Sequence, residues 1–230
     1  MKKQYVVMFL MTFIVSFNSY AQTNQGLWIG QIELNKVNEA VSKTDTQTPT
    51  SVKHPFDMKI LLHVDDTGKV CLLKDVTLMQ KVENNTARRL LITDDTRLSE
   101  YEGVVRRDGK LVGIRMGSPA FEFDLDKNSL ELSGSMGAGQ SLEGTLILDG
   151  DHPMNPFRHM YHPDHKNGIA IERNMQMTFD EDQGSDDPEN AKFQLNGTYK
   201  ETITGLHKIP LKVEGRFNIQ RISEIGKLNE

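Results

Sequence analysis

Apolar and polar residues alternate with a period of two along most of this chain. From Phe56 to Asp65, the set Phe56, Met58, Ile60, Leu62 and Val64 interleaves with Asp57, Lys59, Leu61, His63 and Asp65. From Leu211 to Gln220, Leu211, Val213, Phe217 and Ile219 alternate with Lys212, Glu214, Arg216, Asn218 and Gln220, and Gly215 stays in phase with the apolar set. Successive side chains of a strand point to opposite faces, so this pattern predicts strands with one packed and one wet face. Phe121, Phe123 and Leu125 repeat it, as do Phe193, Leu195 and Tyr199.

Turn chemistry punctuates the runs. Asp66-Thr67-Gly68-Lys69 predicts a hairpin between Phe56–Asp65 and Val70–Met79. Asp108-Gly109 predicts another between Gly103–Arg107 and Lys110–Met116, and Asp126-Lys127-Asn128 one between Ala120–Leu125 and Ser129–Ser133. Only Asp95–Glu102 reads as helical, for a turn or two, and Thr44–Val52 reads as a mobile polar loop. The expected fold is all-β, an antiparallel β-sandwich or closed β-barrel. One motif, apolar-x-Gly-x-apolar, recurs around Gly30, Gly144, Gly197 and Gly215. A strand glycine costs stability, so its reuse predicts bending or close approach of a neighbouring strand, or else space for a ligand inside the barrel.

The N-terminal 21 residues read as a cleaved export signal. Lys2 and Lys3 precede the apolar run Val6–Val15, and Ser19-Tyr20-Ala21 gives small residues where a signal peptidase cuts. That run is far shorter than the ~20 residues that cross a bilayer, so a membrane anchor is not expected. The mature domain is then 22–230, a single β domain, periplasmic or extracellular. Removal of Lys2 and Lys3 shifts the formal net charge from −5 to −7. An acidic surface argues against nucleic-acid binding, which needs clustered cations against phosphate. Cys71 is the only cysteine, so no intrachain disulfide forms, and its VCLL setting predicts a buried small hydrophobe.

Candidate chemistry concentrates in Asp151–Asn167, DHPMNPFRHMYHPDHKN, with four of the seven histidines and three of the eight prolines. Pro153, Pro156 and Pro163 forbid a regular helix and predict a stiff loop. Its expected contact surface comprises Asp151, His152, Asn155, Phe157, Arg158 and Tyr161. His159, His162 and His165, with Asp164, form a candidate site for a divalent metal such as zinc. No His-Glu-x-x-His or Cys-x-x-Cys spacing supports it, and no Gly-x-Ser-x-Gly elbow is present. Asp180–Glu189 is acid-rich, but its glycine falls at the fifth position rather than the sixth of a calcium loop. Gly134–Gly139 lacks the Lys-Ser/Thr of a phosphate loop.

Four segments, GLWIGQIELNKVNE (Gly26–Glu39), His54–Met79, NPFRHMYHPDHKN (Asn155–Asn167) and Leu195–Ser223, resemble a family of uncharacterised bacterial exported proteins. Similar stretches in that family also occur as modules of larger extracellular chains. The resemblance implies export and a β module, and brings no activity or catalytic residue. The expected function is a non-enzymatic binding or structural module at the cell envelope, with a protein or glycan partner. The alternatives are a metal-binding protein, with hydrolytic chemistry at the histidine loop, and a small-ligand carrier. An interior filled by Trp28, Phe56, Phe217 and Leu146 speaks against the carrier.

Overall fold

The computed structural model describes residues 24–38, 48–83, 86–94, 96–97, 111–123, 127–155, 157–158, 168–182, 193–206 and 209–230. The described elements are all strands: β1 (Gly26–Val37), β2 (Thr50–Val64), β3 (Val70–Leu73), β4 (Asp75–Glu83), β5 (Thr86–Ile92), β6 (Leu111–Gly117), β7 (Ser129–Gly134), β8 (Ser141–Leu148), β9 (Ile171–Phe179), β10 (Gln194–Thr204) and β11 (Leu211–Ser223). Eight of them close an antiparallel barrel in the order β1-β11-β10-β9-β8-β7-β3-β2, and β5-β4-β6 form a separate three-stranded sheet. The chain thus runs as a meander around the barrel, interrupted once between β3 and β7 by the small sheet.

The interior is built by the alternation read from the sequence. Trp28, Ile32, Ile60, Leu62, Leu142, Met177, Phe217 and Ile219 are among its buried residues. Phe179 meets Phe217 edge to face, with ring centroids 5.2 Å apart, a favoured aromatic geometry. The turn at Asp65 is held by its carboxylate, which accepts from the Thr67 amide and hydroxyl and from the Lys69 amide; Gly68 there has φ of +89°, a conformation that favours glycine.

Several expectations change. The run Val70–Met79 is not one strand: Lys74 separates β3, in the barrel wall, from β4, in the small sheet. Thr50–Val52 belongs to β2 rather than to a loop, because Thr50 and Ser51 pair with Val37 and Lys36. Phe56 is 63% exposed instead of packed, although it stays in register opposite Leu34. Ala120–Phe123 is not strand, although Phe121 and Phe123 do enter the core. Gly103–Arg107 and its Asp108-Gly109 turn lie outside the described residues, as does Asp95–Glu102 apart from Thr96 and Arg97.

The face expected to be wet on β2 is also covered. Leu61 is 1% and His63 3% exposed. Leu27, Leu61 and Leu73 point outward from the barrel and pack with Val76 and Leu91 of the small sheet, flanked by half-buried Cys71 and by Ile225 and Leu228. Burial pushes the Cys71 thiol up. The C-terminal segment straps the two sheets together: Leu228 bridges Leu91 in parallel, and the Asn229 side-chain oxygen accepts from the Thr93 and Asp94 amides.

Candidate functional site

The loop between β8 and β9 leaves the barrel through a narrow neck. A Cβ on Gly168 would lie 1.7 Å from the Gly150 carbonyl oxygen, and one on Gly150 would lie 2.4 Å from that of Gly168. Any side chain there would part the two stems. Just above the neck, Asn155 is 2% exposed and uses its whole amide. Its Nδ2 donates to the carbonyls of Asp149 (2.9 Å) and Ile169 (2.7 Å), and its Oδ1 accepts from the Phe157 amide (2.8 Å). The stem is closed further by Ile169 N–H to Phe157 O, 3.3 Å. One asparagine thus clamps both ends of the loop, and the neighbouring Pro153 lowers the entropy lost in ordering it.

His152 is 5% exposed. Its Nδ1 accepts from the Met154 amide at 3.1 Å. That amide occupies the Nδ1 lone pair in this arrangement. The Nε2 atom is buried without a hydrogen-bond partner, and so is Nε of Arg158. Asp151 is exposed and Arg158 half-buried. Tyr161, His159, His162, Asp164 and His165 lie outside the described residues. Among the described residues, no three His, Cys, Asp or Glu side chains cluster as metal ligands.

The loop base is also apolar on its outside. Eight large hydrophobics among the described residues are exposed, and four of them, Ile147, Met154, Phe157 and Ile169, belong to this base or to the end of β8. Sequence reading weighed the histidines here and passed over Met154 and Ile169. Their signal was present: two large apolar side chains inside a stretch of turns.

A second cluster lies inside the barrel, and sequence reading missed it. The guanidinium of Arg173 on β9 forms a two-pronged pair with Glu201 on β10, through Nε to Oε1 and Nη2 to Oε2 (3.2 Å for the latter). The Tyr199 hydroxyl donates to Glu201 Oε2 at 2.9 Å, and burial, with the adjacent Glu201 charge, holds its pKa well above the usual tyrosine range. Arg173 keeps its proton firmly: burial opposes the charge, but the Glu201 partner outweighs it. Arg173 Nη1 donates to the Ala120 carbonyl at 2.6 Å, and its guanidinium carbon sits 5.0 Å from the centroid of Phe121. Arg173 and Glu201 both occupy inward positions of otherwise apolar strands. Those in-phase polar residues were the available sign.

With Phe121 and Phe123 seated, the void among Ile60, Leu72, Phe121, Leu142, Met175 and Tyr199 measures about 10 Å³, space for at most one water. Trp28, Phe217 and Leu146 are buried in the interior, and Phe56 does not join them. The in-phase glycines serve close approach. A Cβ on Gly144 would lie 2.4 Å from Leu132 Cδ2, and one on Gly197 would lie 2.2 Å from the Thr178 carbonyl oxygen.

No protein-family model matches the chain, and no curated protein matches it. No helix among the described residues is long and apolar enough to cross a membrane.

Proposed function

We propose that this protein is an exported, non-enzymatic β-barrel module that binds a protein partner through the base of the β8–β9 loop. The observation that carries the reading is that four of the eight exposed large hydrophobics among the described residues, Ile147, Met154, Phe157 and Ile169, fall at the end of β8 and in the loop base that Asn155 clamps. Exposed apolar side chains held on a rigid base are what a protein interface needs, because little ordering entropy is lost on docking. An apolar patch of this kind favours a protein over a glycan. Export is supported by the Lys2–Lys3 start, the Val6–Val15 run and the small residues before Gln22.

A photo-crosslinking residue in place of Phe157 tests the contact in cells of the native host. The reading expects one discrete crosslinked species, lost when Ile169→Asp is added. Crosslinking no stronger than from a control position such as Lys200, exposed on β10, refutes it. The mass of the mature protein tests export separately, and a chain that retains Met1–Ala21 overturns that part.

A further inference from the structure

The barrel wall is complete on one side and short on the other. β3 has 4 residues and β7 has 6, whereas β2 has 15 and β11 has 13. Among the described residues, β3 pairs with β2 only over Leu62–Val64, and β7 pairs with β8 only at Ser133 and Gly134. An opening therefore remains between the first half of β2 and the second half of β8. Ser118–Phe123 fills it without joining the strand ladder. Its ties among the described residues include Ser118 N–H to Lys74 O (2.7 Å), Ser118 Oγ to Lys59 O (2.5 Å), a half-buried Lys74–Glu122 ion pair (3.4 Å) and the Arg173–Ala120 bond. Yet Phe121 is 0% and Phe123 2% exposed.

We propose that Ser118–Phe123 is a displaceable plug seated in a ligand site, and that the site takes a small neutral amphiphile with one carbonyl oxygen and an aromatic or aliphatic body. The plug displays that chemistry itself. The Ala120 carbonyl meets Arg173 Nη1, and the Phe121 ring lies over the guanidinium and against the apolar interior of Leu132, Leu142 and Met175. Closing a barrel end calls for no buried charge, since an apolar replacement of a buried ion pair is commonly neutral or stabilising. A donor aimed out of that pair at a non-ladder carbonyl does have a use in holding an exchangeable acceptor. The head group is neutral because Glu201 already neutralises Arg173, so an added carboxylate would meet the Glu201 carboxylate. The site is separate from the loop base.

The matched probes are 3-phenylpropanamide and 3-phenylpropanoate, titrated into the mature protein and followed by amide NMR. The proposal expects saturable binding of the amide, at least tenfold weaker binding of the carboxylate, and faster hydrogen exchange at Phe121 and Phe123 on binding. Ser118→Ala removes one tie of the plug and leaves the cavity lining unchanged. One lost hydrogen bond raises the open population by about fivefold, and apparent affinity rises by the same factor. No binding of the amide up to 10 mM (roughly the affinity expected of so small a ligand) overturns the proposal. So does equal affinity in wild type and Ser118→Ala, or binding that leaves exchange at Phe121 and Phe123 unchanged. A carboxylate that binds more tightly overturns the neutral-head assignment.

Discussion

Glu201→Gln keeps the shape of the buried acid and removes its charge. The Arg173 side chain is 17% exposed and that of Glu201 1%, so water replaces little of what is lost. Removing one member of a buried pair leaves the other uncompensated, at a cost of about 3–5 kcal/mol. For a domain of this size that lowers Tm by about 6–20 °C. Arg173→Met strands the carboxylate with only the Tyr199 hydroxyl and also unties Ala120, so a similar loss is expected. The double variant Arg173→Met/Glu201→Met replaces both charges with apolar groups of comparable length. It should fall within about 2 kcal/mol of wild type, giving a coupling energy of at least about 3 kcal/mol. Urea unfolding followed by fluorescence measures all four proteins. The chain has one tryptophan, Trp28, 1% exposed in the core, so the signal reports on the barrel. Additive losses in the double variant, or single losses below about 1 kcal/mol, would refute the reasoning, because a buried pair must be coupled.

Two further outcomes follow from other contacts. Burial holds the His63 imidazole below its ordinary value of 6.5, against the opposing pull of the Ile225 carbonyl and the Asp65 charge. Below pH 6.5 the unfolded chain takes up a proton that folded His63 resists, so stability falls from there toward pH 5, by at most about 1.4 kcal/mol per pH unit. His63→Gln keeps a donor for the Ile225 carbonyl, 3.0 Å away, and should flatten urea midpoints between pH 7.5 and 5.5; an unchanged slope contradicts this. Gly197→Ala would press a Cβ against the Thr178 carbonyl oxygen at 2.2 Å and the Phe217 ring at 2.4 Å. Neither neighbour can step aside cheaply, so a loss of about 1–3 kcal/mol is expected in thermal unfolding, and a Tm within 1 °C of wild type (a change of under about 0.5 kcal/mol) would show that the strands part more easily than this geometry implies.

The inward faces of β2 and β11 and the Asp65–Lys69 turn were legible in the sequence. Each depends on neighbours within a few residues, and the strand pleat turns that local pattern directly into an inside and an outside. Closure into a barrel rather than a sandwich was not legible, because both satisfy the same alternation. Nor was the fate of the outward face. Leu61 and His63 read as wet, but Leu61 packs with Val76 and Leu91 of the small sheet, and buried His63 meets the Ile225 carbonyl. Phe56 read as core, yet it is 63% exposed although it stays in register opposite Leu34. In the loop, the prolines announced stiffness, but the clamp by Asn155 needed Asp149 and Ile169 to be brought together. Arg173 and Glu201 stand 28 positions apart and become a pair through the register of β9 on β10, where Glu201 lies opposite Met175, two residues from Arg173. The alternation of side chains is a property of the backbone at each residue, and the sequence alone determines it. Which surfaces meet, and which charges find partners, depends on segments distant in the chain, and the closed barrel alone decides that.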